Sequence, residues 1–202
     1  MLHESNDNHM DVLKKIITIE DLREALVLKD STTVEDYEKQ FDTIADALFN
    51  NFAIKNGYIY YRFLELEFYH NATDEKKGVT IKRETNAGDW FIHDSGVDLA
   101  FKSTKQLYGG ILTRAMKSGK EYQLGGEYVY GPRNCLWWMF DKISAFGENG
   151  FCPVIEQCPS DVEVSYEKRT RWNIDDTRLY RYIAQPSLWV PDSSYNAYPF
   201  KK

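Results

Sequence analysis

The feature that most constrains this chain is Tyr58-Ile-Tyr-Tyr-Arg-Phe-Leu-Glu-Leu-Glu-Phe-Tyr69, twelve residues of strand-forming character with a period of two. Leu64, Leu66 and Phe68 fall on one face, and Glu65, Glu67 and Tyr69 on the other. A strand this long needs partners on both edges and a hydrophobic layer against its apolar face. The rest of the sequence can be read for what supplies them.

Upstream, the pattern is helical. Asp11 to Lys29 reads as a first helix, with Thr18 and Asp21 placed as a capping box. A second helix follows, capped within Asp30–Thr33, with Glu35 three residues after Thr32. Val34, Tyr37, Phe41, Ile44, Ala45, Leu48 and Phe52 recur on one stripe, and Asn56-Gly57 reads as its stop. Downstream, strands are expected at Val79–Arg83, Asp89–His93, Val97–Phe101, Tyr108–Met116, Val162–Tyr166 and Leu179–Ile183. Asp94-Ser95-Gly96 joins two of them as a hairpin turn. Pro132 to Ile143 reads as a short helix opened by Gly131-Pro132, with Trp137-Trp138 in the core. Cys152 to Pro159 reads as loop, and the tail from Pro186 as irregular. The expectation is a single α+β domain over 1–202, with N-terminal helices packed on a mostly antiparallel, curved sheet and residues 1–10 disordered.

Composition bears on location and partners. Aromatic residues make up 15% of the 202, too many for a disordered chain. No run nears the roughly 20 apolar residues of a membrane span. The polar start has no signal core, and three cysteines (Cys135, Cys152, Cys158) suit a reducing compartment, so a cytoplasmic protein is expected. A net charge of −6 gives no support to binding duplex DNA, which draws on Lys and Arg. In the tail, Trp172, Tyr180, Tyr182, Trp189, Tyr195 and Tyr198 interleave with Arg169, Arg171, Arg178 and Arg181. That pattern fits a strand packed on the sheet, and also a stacking surface for single-stranded nucleic acid.

The residues able to carry chemistry lie on the long strand. Glu65, Glu67 and Tyr69 form either a solvated face or a rigid platform aimed into a cleft, where a carboxylate can act as a general base. Arg114, inside the apolar run Gly110-Ile-Leu-Thr-Arg-Ala-Met116, must be paired or face a pocket. His93-Asp94-Ser95 is a turn rather than a triad, since triad members converge in space. His3, His9, His70 and His93 lack metal-site spacing, and no cofactor is implied.

Four segments in order, over roughly residues 58–145, resemble the alkyladenine (3-methyladenine) DNA glycosylase family. They are Glu65-Leu-Glu-Phe-Tyr69, the hairpin Gly88 to Val97, Gly110-Ile-Leu-Thr-Arg-Ala115 and Gly131-Pro-Arg-Asn-Cys-Leu136. The resemblance implies a divergent base-excision DNA-repair hydrolase that flips an alkylated purine from DNA and releases it with a Glu-activated water. Glu67 would be the base and Arg114 its orienting partner. Tyr69, Glu65, Ile92 and His93 would contact the substrate, which is DNA or a purine nucleotide. The sequence departs from the pattern where Ile92 and Ser95 stand in place of the family's stacking and wedging tyrosines. A non-catalytic binding protein of the same fold is the alternative, and an unrelated α+β protein a third.

Overall fold

The computed structural model describes residues 15–28, 33–123, 125–141, 152–169 and 177–184. They form one α+β domain with three helices and a curled, entirely antiparallel sheet of nine strands. Helix α1 (Ile19–Ala25) is shorter than the pattern suggests and carries the expected capping box. The Thr18 hydroxyl accepts from Asp21 N at 3.1 Å, and the Asp21 carboxylate accepts from Thr18 N at 3.0 Å. Helix α2 (Val34–Asn50) is capped within the expected segment, by Thr33 accepting from Asp36 N at 3.2 Å. Its stripe of Tyr37, Phe41, Ile44, Leu48 and Phe49 is buried. The Phe41 ring meets Phe68 at 5.1 Å, Tyr180 at 5.6 Å and Phe101 at 5.7 Å, joining the helix to the sheet.

Two expectations are corrected at the helix end. The helix stops at Asn50, because Phe52–Asn56 is a strand, β1. Asn56-Gly57 begins the hairpin turn into β2 (Ile59–His70), with Gly57 at φ 60° where a side chain would be strained.

Strand β2 is the spine. Along one edge it pairs with β5 (Gly109–Ser118); along the other it pairs first with β1 and then with β9 (Arg181–Ala184). Strand β5 likewise takes β4 (Gly96–Ala100) and then β6 (Tyr128–Tyr130) on its outer edge. Hairpin partner β3 (Trp90–His93), β7 (Val154–Gln157) and β8 (Val164–Glu167) complete the sheet beside β4, β1 and β9.

The β2–β5 ladder slips twice. Leu64 has no partner between Phe63↔Met116 and Glu65↔Ala115, and Arg114 has none before Leu66↔Thr113. The slip at Leu64 explains a change of parity. Buried apolar residues run Tyr61, Phe63 and then Leu64, Leu66, Phe68.

Other expectations need correction. Val79–Arg83 forms no strand; it is held as an irregular segment, with Thr80 N donating to Asp74 at 2.9 Å. Val154–Gln157 pairs with β1 where a loop was expected, because its short alternation is masked by flanking Pro and Cys. Strand β6 was not foreseen. Helix α3 (Pro132–Phe140) buries Cys135 and Met139, whereas Trp137 and Trp138 are 49% and 39% exposed and not core. Tyr180 and Tyr182 are buried in the sheet, as the packing reading of the tail requires; Trp172, Trp189, Tyr195, Tyr198 and Arg171 lie outside the described residues, as do 1–14. Among the described residues no helix is long and apolar enough to cross a membrane.

Two buried polar residues test this packing. Arg62 is fully buried, and among the described residues its guanidinium donates to carbonyls, those of Phe52, Lys120, Cys158 and Pro159. It ties the start of β2 to two loops. His70 ends β2 beside Tyr37 (4.9 Å) and Phe101 (6.1 Å), and its Nδ1 has no hydrogen-bond partner among the described residues. Burial pushes its pKa down to about 4. Between that value and the ordinary 6.5, the unfolded chain binds a proton that the native state refuses, so stability falls as pH drops through this window. Urea melts at pH 7.5 and 4.5 should therefore show His70→Phe losing less stability on acidification than wild type, by about 3 kcal/mol at most. Parallel losses in the two proteins would contradict the assignment.

Candidate functional site

The face of β2 opposite the main core is not solvated. Glu65 and Glu67 are both 0% exposed, so the solvated-face reading is overturned. They are buried because the sheet's own strands cover them with opposite charge. From β5, Arg114 donates through Nε to Glu65 Oε1 at 2.8 Å and through Nη1 to Glu67 Oε2 at 3.1 Å. From β9, Arg181 donates through Nε to the same Glu65 oxygen at 2.7 Å and through Nη1 to Glu167 at 2.7 Å. The bulge at Arg114 is what lets one side chain reach two carboxylates on the neighbouring strand.

Tyr69 completes this row. Its hydroxyl donates to Glu67 Oε2 at 2.7 Å, and burial followed by the Glu67 charge pushes the phenol well above its ordinary range. Its ring is braced from behind by the Arg169 guanidinium at 4.6 Å, which also donates to Phe68 O at 3.0 Å. With Val79 and Leu112 it makes a small apolar cluster apart from the main core.

Tyr69 and Arg114 form one wall of a pocket of about 90 Å³. One water needs roughly 10–15 Å³, so a small molecule fits there. The other wall is a second ion-pair assembly that the sequence reading did not identify. Asp98, on β4, accepts from Arg83 Nη1 at 2.5 Å and from His93 Nε2 at 3.0 Å. Ser95 N donates to His93 Nδ1 at 3.2 Å, which leaves the ring proton on Nε2 facing Asp98. Arg83 also lies 4.0 Å over the Phe91 ring and donates from Nε to Ile81 O at 3.0 Å. This cluster requires Gly110 on β5, where a Cβ would stand 2.8 Å from Arg83 Nη1 and 2.9 Å from Asp98 Cβ.

The expected site residues are thus distributed unevenly. Tyr69, Arg114 and His93 line the pocket; Glu65 and Glu67 lie outside its lining, bonded to Arg114. Ile92 is 53% exposed and takes no part in the lining. Arg83 and Asp98 were not expected at the site, and Arg181, singled out only within the aromatic tail, joins it through Glu65. Asp98 carried a legible signal, a lone charge in the apolar strand Val97–Phe101, which is the argument that singled out Arg114. Cys135 is fully buried, and burial first, then Glu65, pushes its thiol upward, so it offers no thiolate. Among the described residues no group of three or more His, Cys, Asp or Glu is placed to hold a metal ion.

Compared with known families, curated proteins and solved structures, the chain matches none.

Removing Arg114 would leave two buried carboxylates short of compensation, which typically costs about 3–5 kcal/mol. Arg114→Met should lower stability by that order in denaturant melts, whereas Ile92→Ala, at an exposed position, should stay within about 0.5 kcal/mol. Equal effects would show that Arg114 is not the counter-charge the geometry makes it.

Proposed function

We propose that this chain is a glycosylase-like α+β protein that binds a small polar ligand in the pocket lined by Tyr69 and Arg114, with Glu67 serving as buried counter-charge rather than as a catalyst. The observation that carries this reading is the position of Glu67. A general base must reach the water it activates, directly or through one further water. Glu67 is fully buried and stands outside the pocket lining, and its Oε2 already accepts from the Tyr69 hydroxyl and from Arg114. The net charge of −6 also argues for a small ligand over a duplex DNA backbone.

A second reading is hydrolysis of the N-glycosidic bond of a damaged purine. Its support is that the two side chains gripping Glu67 are themselves pocket walls. A modest rearrangement of Tyr69 and Arg114 on binding would bring the carboxylate to the pocket. Water activated by Glu67 would then add to the sugar C1′ as the C–N bond breaks and the purine departs with the bonding electrons.

Base release from alkylated duplex and single-stranded DNA, measured for wild type and Glu67→Gln together, separates the two. The binding reading expects no release from either protein. Release by the wild type that vanishes in Glu67→Gln would establish the hydrolase instead.

A further inference from the structure

Among the described residues the guanidiniums in and behind the pocket wall are paired with carboxylates. Arg83 faces Asp98, while Arg114 and Arg181 face Glu65 and Glu67, three guanidiniums against three buried carboxylates. An added anion would have to compete with Asp98 for Arg83 and would sit close to the carboxylates behind Arg114. An added cation would meet two arginines in the walls. In a partly buried site either penalty is large, so a ligand of either sign is disfavoured.

Hydrogen bonding is not balanced in the same way. Arg83 spends Nε on Ile81 O and Nη1 on Asp98, and its Nη2 makes no hydrogen bond among the described residues. Its side chain is only 1% exposed, yet it lines the pocket. Ser95, at an exposed turn, also lines the pocket, and its hydroxyl makes no hydrogen bond among the described residues. Two residues with donors to spare therefore line the same pocket as Val79, Leu112 and Tyr69. A buried donor left without an acceptor costs about as much as a lost hydrogen bond, which favours a ligand that supplies one.

We infer that the Arg83–Ser95 side of the pocket recognises an uncharged ring through a carbonyl acceptor, a small lactam or imide, and rejects carboxylate and phosphate. The inference rests on the ligand-binding reading above and names the chemical class. The apolar wall takes the flat body of the ring, and Arg83 Nη2 and the Ser95 hydroxyl take its oxygen.

The test is an NMR titration of the full chain with uracil and 2-pyrrolidinone against orotate and inorganic phosphate. Orotate is the uracil ring with a carboxylate added, and phosphate is an anion smaller than uracil, so the two anions together separate charge from size. Uracil or 2-pyrrolidinone should shift resonances around Ser95 and Arg83, while orotate and phosphate at equal concentration should not. Ser95→Ala, at an exposed turn, should weaken that binding roughly 3–10-fold. Arg83→Lys, which keeps a charge for Asp98 but removes Nη2, should weaken it at least as much, with melting curves confirming that both variants fold. Tighter binding of orotate or phosphate overturns the inference. So does binding of none of the four, or uracil affinity unchanged in both variants. Base release that depends on Glu67 would sink the non-catalytic reading alone, because the preference for uracil over orotate is read independently of catalysis.

Discussion

Two carboxylates buried side by side on one strand are the constraint around which this molecule is organised. Glu65 and Glu67 are out of water, and an uncompensated buried charge takes away a large share of an ordinary domain's stability. Compensation comes from different strands, Arg114 on β5 and Arg181 on β9, which flank β2 on opposite edges. The ion pairs therefore require both edges to be assembled. A β9 that failed to dock would leave Glu65 with one arginine fewer, and a β5 in another register would take Arg114 away from both glutamates. A one-residue slip sends side chains to the opposite face, so the charge network selects a single register of the ladder.

The same network accounts for the irregularities in that ladder. In a regular antiparallel pair, Arg114 would oppose one β2 residue and reach one carboxylate. The double slip leaves Leu64 and Arg114 each unpaired and lets one guanidinium bridge Glu65 and Glu67. Leu64 gains as well, because the change of parity turns it into the core beside Phe63. Packing on one face and charge matching on the other are satisfied by the same local distortion.

These details show how far the sequence could be read. The long strand, the amphipathic helix and the hairpin at Asp94-Ser95-Gly96 were legible because each repeats its period over enough residues. Arg114 was legible as a residue that must be paired, since a charge in an apolar run has few alternatives. The burial of Glu65 and Glu67 was not. An alternating strand looks the same whether its polar face meets water or arginines from β5 and β9, and β9 lies more than a hundred residues further along the chain. Arg83 and Asp98 were hidden for a related reason. Val79–Arg83 has the composition of a strand, but its partner is an ion pair across the sheet, and the Gly110 that makes room for it reads in sequence only as a weak point in a strand.

Burial of this kind has a functional consequence. A carboxylate that both holds an arginine in place and accepts from a neighbouring phenol is committed twice, and taking a proton from water would weaken both interactions at once. In a site built for base catalysis, the carboxylate is expected at the cleft surface, with its partners behind it. Here the order is reversed, with Tyr69 and Arg114 in front and Glu67 behind. In this arrangement the acidic row on β2 holds the side chains of Tyr69 and Arg114, which line the pocket. On the binding reading proposed above, recognition falls to the other lining residues, Arg83 and Ser95.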